Sequence, residues 1–213
     1  THSWRGVEGH FAAFWFLFAA GVFVHAPLQA STGASRAAAN LLLVAALACH
    51  HRAIALYWRL PPRDGLALLA VGATGLASLL THLTGRGGML RAVLVHLAVA
   101  AFLFSMVAMV WRHGRSSMPR VASALAAALL LLGLALLARL GWLLHQGTPS
   151  EVSLVRIAMG NLPMVTAVVL VGGFINLAHI QFLLNRLMSR LLTQAETDTL
   201  TGVLNRRGLL ARL

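Results

Sequence analysis

The chain predicts an all-α fold: a multi-spanning membrane bundle of about six helices, the last of which continues beyond the lipid. Two observations predict it. Of 213 residues, 59% are hydrophobic and only 10% charged, with a mean hydropathy of +0.80. A soluble domain carries roughly 25% charged residues, so there is too little polar surface here to coat a body in water. Six stretches are also apolar over all or nearly all of the ~20 residues that a helix needs to cross hydrocarbon.

The first stretch, Phe11–Val24, is short but extends without strong charge to Gly9 and Pro27. Ala37–Trp58, Leu66–Leu83, Leu90–Trp111, Val121–Leu144 and Leu162–Leu184 follow. Glycine and proline punctuate the connections, at Pro27, Pro61-Pro62, Gly85 to Gly88, Pro119, Gly147 and Pro149. Such short breaks join antiparallel neighbours, which predicts an up-and-down bundle at residues 1–185. The first stretch also has the outline of a signal peptide: Arg5, an apolar run, then Pro27-Leu28-Gln29-Ala30. Leu28 stands where cleavage needs a small residue, and removal would leave five helices with the same C-terminal side.

All 17 basic residues are arginine, against five acids, for a net charge of +12. On a soluble domain this balance would point to nucleic acid. Here the arginines fall mainly between apolar stretches, where they set topology and meet anionic membrane lipid, and no nucleic-acid partner is expected. Placing the C-terminus in the cytoplasm puts Arg5, Arg59, Arg63, Arg112, Arg115, Arg120, Arg186 and Arg190 inside. Arg36, Arg86, Arg91 and Arg156 then lie outside. That is the positive-inside bias. Trp58, Trp111 and Trp142 read as interfacial anchors, and the acids Glu8, Asp64, Glu151, Glu196 and Asp198 all read as lying outside the spans. Carboxylate-coupled transport is therefore disfavoured.

Ten histidines are many for such a chain. His25, His82, His96 and His145 map to or near the outer helix ends and form a candidate metal set. His50 or His51 with His179 forms a candidate haem pair. Against both stands the ordinary role of a neutral histidine at an interface or bonded to a backbone carbonyl. Cys49, the single cysteine, allows no intrachain disulfide and reads as a small buried hydrophobe. Arg139, inside the fifth stretch, reads as a residue that snorkels to the interface.

Beyond the sixth stretch, Ile180, Leu184, Leu187 and Leu191 recur with spacing 4, 3, 4. This is an a/d seam, although Leu183 and Leu192 blur it and it covers fewer than two heptads. Residues 180–197 read as a helical linker that pairs two copies of the chain. Gly172-Gly173, Asn176 and Gln181 earlier in the same helix suit close helix approach and interhelical hydrogen bonds.

Next comes Asp198-Thr199-Leu200-Thr201-Gly202-Val203-Leu204-Asn205-Arg206-Arg207. Asp198 suits a turn, Thr201 suits a helix N-cap, and an amphipathic basic helix follows. Asp198, Leu200, Thr201, Gly202, Asn205, Arg206 and Arg207 match the D-x-L-T-G-L-x-N-R-R opening of GGDEF domains, the diguanylate cyclase family, with Val203 in place of the usual leucine. The run also stands where such domains commonly stand, after a membrane region and a short helical linker. Residues 198–213 thus resemble the first helix of a truncated α/β GGDEF domain.

The resemblance implies a bacterial inner-membrane, multi-pass sensor with a cytoplasmic C-terminus. Its output domain would condense two GTP into cyclic di-GMP with Mg²⁺, in a homodimer whose two sites must face each other. The family's metal-binding aspartate and its GGDEF loop come after this opening helix, so no residue of the 213 is expected to be catalytic. A start at Thr1 and a finish inside the motif predict a piece of a longer protein. Three rival readings stay open: a receptor or scaffold with a degenerate GGDEF domain, a hybrid with a phosphodiesterase domain, and a transporter. The M-H-Y-T motif of one membrane sensor family is absent, and the bundle is assigned to no named sensor family.

Overall fold

The structure is a computed structural model that describes the backbone of residues 2–25, 33–61, 64–86, 88–116, 118–146 and 154–196, with Val203 and Leu209. Six α-helices follow in order: α1 (His2–His25), α2 (Gly33–Tyr57), α3 (Asp64–Thr84), α4 (Gly88–Met109), α5 (Pro119–Gln146) and α6 (Leu154–Glu196). Between α4 and α5 the helix opens into a π turn, Val110–Gly114. There is no strand among the described residues.

Among the described residues, five helices are long and apolar enough to cross a membrane: Gly6–Val24, Ala37–Tyr57, Asp64–Thr84, Gly88–Gly114 and Pro119–His145. The sixth expected span, Leu162–Leu184, lies within α6, and most of its side chains up to residue 169 are outside the described residues. Each of the first five helices begins before its apolar stretch does, because hydropathy marks where lipid contact ends and not where backbone bonding ends. Two placements change as a result. Glu8 and Asp64, both expected outside the spans, fall just within the first span and at the first residue of the third, and both are exposed.

The chain divides into two units, residues 1–168 and 169–213. In the first, named contacts give the topology. Phe11 and Phe14 of α1 meet His50 of α2, and Gly21 faces Leu43, so α1 and α2 are antiparallel. Arg52 pairs with Asp64, and Gly75 faces Leu41, which makes α3 antiparallel to α2. His51 reaches Ser105 while Trp58 reaches His113, so α4 runs parallel to α2. Gly114 faces Ala122 and Gly133 faces Phe104, which turns α5 back along α4. The up-and-down expectation holds for these five helices, with α2 and α4 central.

The packing is that of a lipid-bathed bundle. The buried face of α5 is Ala122, Leu125, Ala126, Leu129, Gly133, Leu136 and Leu140, a stripe at spacing 3 to 4 that small residues let close. On α3 the buried residues are Thr74, Ala77 and Ser78, while Leu66, Leu68, Leu69, Leu76, Leu79, Leu80 and Leu83 point outward at 49–72% exposure. In water such a contiguous leucine sheath would forgo roughly 1.5–3 kcal/mol for each side chain left unburied. Hydrocarbon removes that penalty, and helices also satisfy their backbone polar groups internally.

Helix α2 stops in a Schellman motif. The Leu60 N–H donates to Ala55 O at 2.8 Å and the Arg59 N–H to Leu56 O at 3.0 Å, with Arg59 at φ 55° where glycine is usual. Pro61 then prevents the helix from continuing.

Helix α6 carries the second unit. It is unbroken over 43 residues. At about 1.5 Å per residue that is roughly 65 Å, about twice the hydrocarbon thickness and more than a single crossing can hold.

Candidate functional site

The densest polar grouping in the first unit lies where the end of α2, the start of α3 and the end of α4 meet. Consecutive helical residues point about 100° apart, and His50 and His51 therefore leave α2 in different directions. His50, fully buried, turns to α1 and packs on Phe14 and Phe11, with ring centroids 4.5 and 5.8 Å away. His51 turns to α4. Its Nε2 is hydrogen-bonded to Ser105 Oγ at 2.9 Å, and its ring lies 5.6 Å from Phe102.

One residue further on, Arg52 Nε forms an ion pair with Asp64 Oδ1 at 3.4 Å. Asp64 sits in the first turn of α3, where a carboxylate is favoured by the helix dipole. Arg52 Nη1 is buried without a hydrogen-bond partner. The π turn completes the grouping. By winding one residue wider, it brings Arg112 and His113 to the same cleft, and His113 stacks 6.0 Å from Trp58. Arg115, just beyond, covers the Trp111 ring at 4.9 Å.

Two cavities meet at the His51–Ser105 pair. One, of about 170 Å³, is polar, with Arg52, Arg112, His113 and Asp64 in its walls; Asp64 is the only carboxylate among its described lining residues. The other, of about 150 Å³, is apolar and lies between α3 and α4, lined by Leu66, Ala67, Ala70, Ala98, Ala101 and Phe102. A polar chamber with a cationic excess therefore opens directly onto an apolar groove.

Sequence reasoning named His51 here for haem, Arg112 for topology and Asp64 as an acid outside the spans, and it missed Arg52, Ser105 and His113. Arg52 carried a readable signal: it is a cation inside an apolar stretch, and such residues mark sites by default. What could not be read was its partner Asp64, which lies across the Pro61-Pro62 turn.

The other expected sites fare differently. His82 and His145 are exposed, and His96 is half-buried with its Nδ1–H donating to Ala92 O at 2.7 Å. The side chain of His25 lies outside the described residues, as does that of His179 of the haem pair. Among the described residues no three His, Cys, Asp or Glu side chains converge to hold a metal ion. In α6, Ile180, Leu184, Leu187 and Leu191 are 46–53% exposed, and Met188 and Leu192 are 56% and 51% exposed, so exposure does not single out one seam. Asp198, Leu200, Thr201, Gly202, Asn205, Arg206 and Arg207 all lie outside the described residues.

Compared with protein-family models, curated proteins and solved structures, the chain matches none. The resemblance to GGDEF domains thus rests on Asp198 to Arg207. With no converging carboxylates among the described residues and no GGDEF loop in the sequence, no residue here is assigned to Mg²⁺ or GTP.

Proposed function

We propose that the chain is the membrane-sensor portion of a diguanylate cyclase of the bacterial inner membrane, with its C-terminus in the cytoplasm. One observation carries this reading: the run Asp198 to Arg207 follows directly on a helix that is unbroken to Glu196. A rod of that length can transmit a displacement in the lipid to whatever follows it. In a homodimer, the apolar positions Ile180, Leu184, Leu187 and Leu191 would pair the two rods and set how two GTP-bearing domains face each other.

Conversion of GTP to cyclic di-GMP by the protein's complete reading frame, in membranes with Mg²⁺, is the test. Turnover is expected from the complete protein and none from the 213 residues alone. If the residues following Leu213 contain no GGDEF-type domain, the proposal fails. An altered GGDEF loop with GTP binding but no turnover would replace the enzyme by a nucleotide-binding scaffold.

A further inference from the structure

The cleft at the α2–α3–α4 end combines features that a free anion would not require. Its polar chamber holds Arg52 and Arg112, with His113 beside them, and Asp64 is the single carboxylate among its described lining residues. Arg52 pairs with Asp64 through its Nε, and its Nη1 is buried with no hydrogen-bond partner among the described residues. A guanidinium so placed has hydrogen-bonding capacity directed at an oxyanion, and charge-assisted bonds of this kind are the strong ones. The chamber also lies at the limits of three spans, which end at Tyr57 and Gly114 and begin at Asp64. That is the depth of lipid phosphate.

The adjoining groove is apolar and bounded on two sides by alanines, Ala67 and Ala70 on α3 and Ala98 and Ala101 on α4. Spaced by three, each pair shares one helix face, and their small size opens a channel between helices that otherwise carry leucine. The chamber and the groove share His51 and Ser105. Neither alone reaches the roughly 300–1,000 Å³ of a site for a drug-sized molecule. An amphiphile uses both.

We infer that this composite site binds an anionic phospholipid, with the phosphate held by Arg52 and Arg112 in the chamber and an acyl chain laid in the α3–α4 groove. The site belongs to the bundle and stands or falls independently of the cyclase assignment. The test is a titration of the purified chain in detergent with phosphatidylglycerol, phosphatidylcholine or inorganic phosphate, read as bound adducts by native mass spectrometry. Phosphatidylglycerol should bind about tenfold more tightly than phosphatidylcholine, because both offer the same phosphate but the choline trimethylammonium would have to sit beside Arg52 and Arg112; tenfold is about 1.4 kcal/mol. Arg112→Gln, at an exposed position, and Arg52→Gln should each bring the two lipids within about threefold. Ala101→Phe, which fills the groove from its exposed edge, should weaken both lipids and leave the preference intact. Equal binding of the two lipids by the unaltered chain would overturn the inference. So would an unchanged preference in Arg112→Gln, or displacement of phosphatidylglycerol by equimolar inorganic phosphate, which would make the chamber a free-anion site.

Discussion

Gly114 lies where the π turn, α5 and the end of α2 approach closely, and replacing it by alanine measures what that approach requires. A Cβ built there would lie 2.9 Å from the Ala122 Cβ of α5 and 3.2 Å from Cζ2 of Trp58, the residue that follows α2. The nearer atom is the stub of a short side chain, so relief must come from backbone displacement. Overpacking of this sort costs about 1–3 kcal/mol. Alanine also gains about 0.5–1 kcal/mol over glycine in a helix, which offsets part of that cost. Gly72, in α3, supplies the control: no atom lies within 4 Å of its Cβ position, so Gly72→Ala keeps the gain without the clash. The difference between the two variants isolates the packing cost, about 1–3 kcal/mol, or roughly fivefold to more than a hundredfold in the unfolding equilibrium. Reversible unfolding in mixed micelles, followed by helical circular dichroism, reads it. Gly114→Ala should unfold more readily than the unaltered chain and Gly72→Ala less readily. Equal stability of the two would refute the close three-helix contact.

Other consequences can be measured on the same chain. Arg59 holds a left-handed conformation that costs a non-glycine residue about 1–2 kcal/mol, so Arg59→Gly should raise stability by about 1 kcal/mol; a loss would mean that its side chain does more than cap α2. Ser105→Ala, His51→Leu and their combination form a double-mutant cycle whose coupling should be about 0.5–1.5 kcal/mol, and additivity would count against the 2.9 Å hydrogen bond. In a Cys49→Ala background, single cysteines at 184, 187 and 191 should cross-link between copies in membranes several-fold faster than cysteines at 183, 188 and 192. A flat profile would remove the paired-helix reading of α6.

Much of the architecture was legible because hydrophobic length is nearly sufficient in a membrane. Each of the five spans was anticipated, and proline and glycine marked their breaks. The helix ends were not, since residues 2–10 extend α1 although His2, Ser3, Arg5, Glu8 and His10 are polar. The site was legible only in fragments. Side-chain direction on a helix separates His50 from His51 from first principles, yet nothing local says that Ser105 receives one and Phe14 the other. Those partners depend on which helices pack together, a long-range property that a pattern along the chain does not encode. The π turn at Val110–Gly114 likewise leaves no signature in composition, and it is what brings Arg112 and His113 to the cleft.

The outward leucines and inward alanines of α3 and α5 invert the usual relation between size and evolutionary freedom. On the lipid face one bulky apolar residue serves as well as another, so Leu76, Leu79 and Leu83 can drift to isoleucine, valine or phenylalanine at little cost. The smallest side chains, Ala122, Ala126 and Gly133, are the ones held in place, because any added carbon must enter a neighbouring helix. Across related sequences, divergence in this bundle should accumulate in its largest residues and spare its smallest.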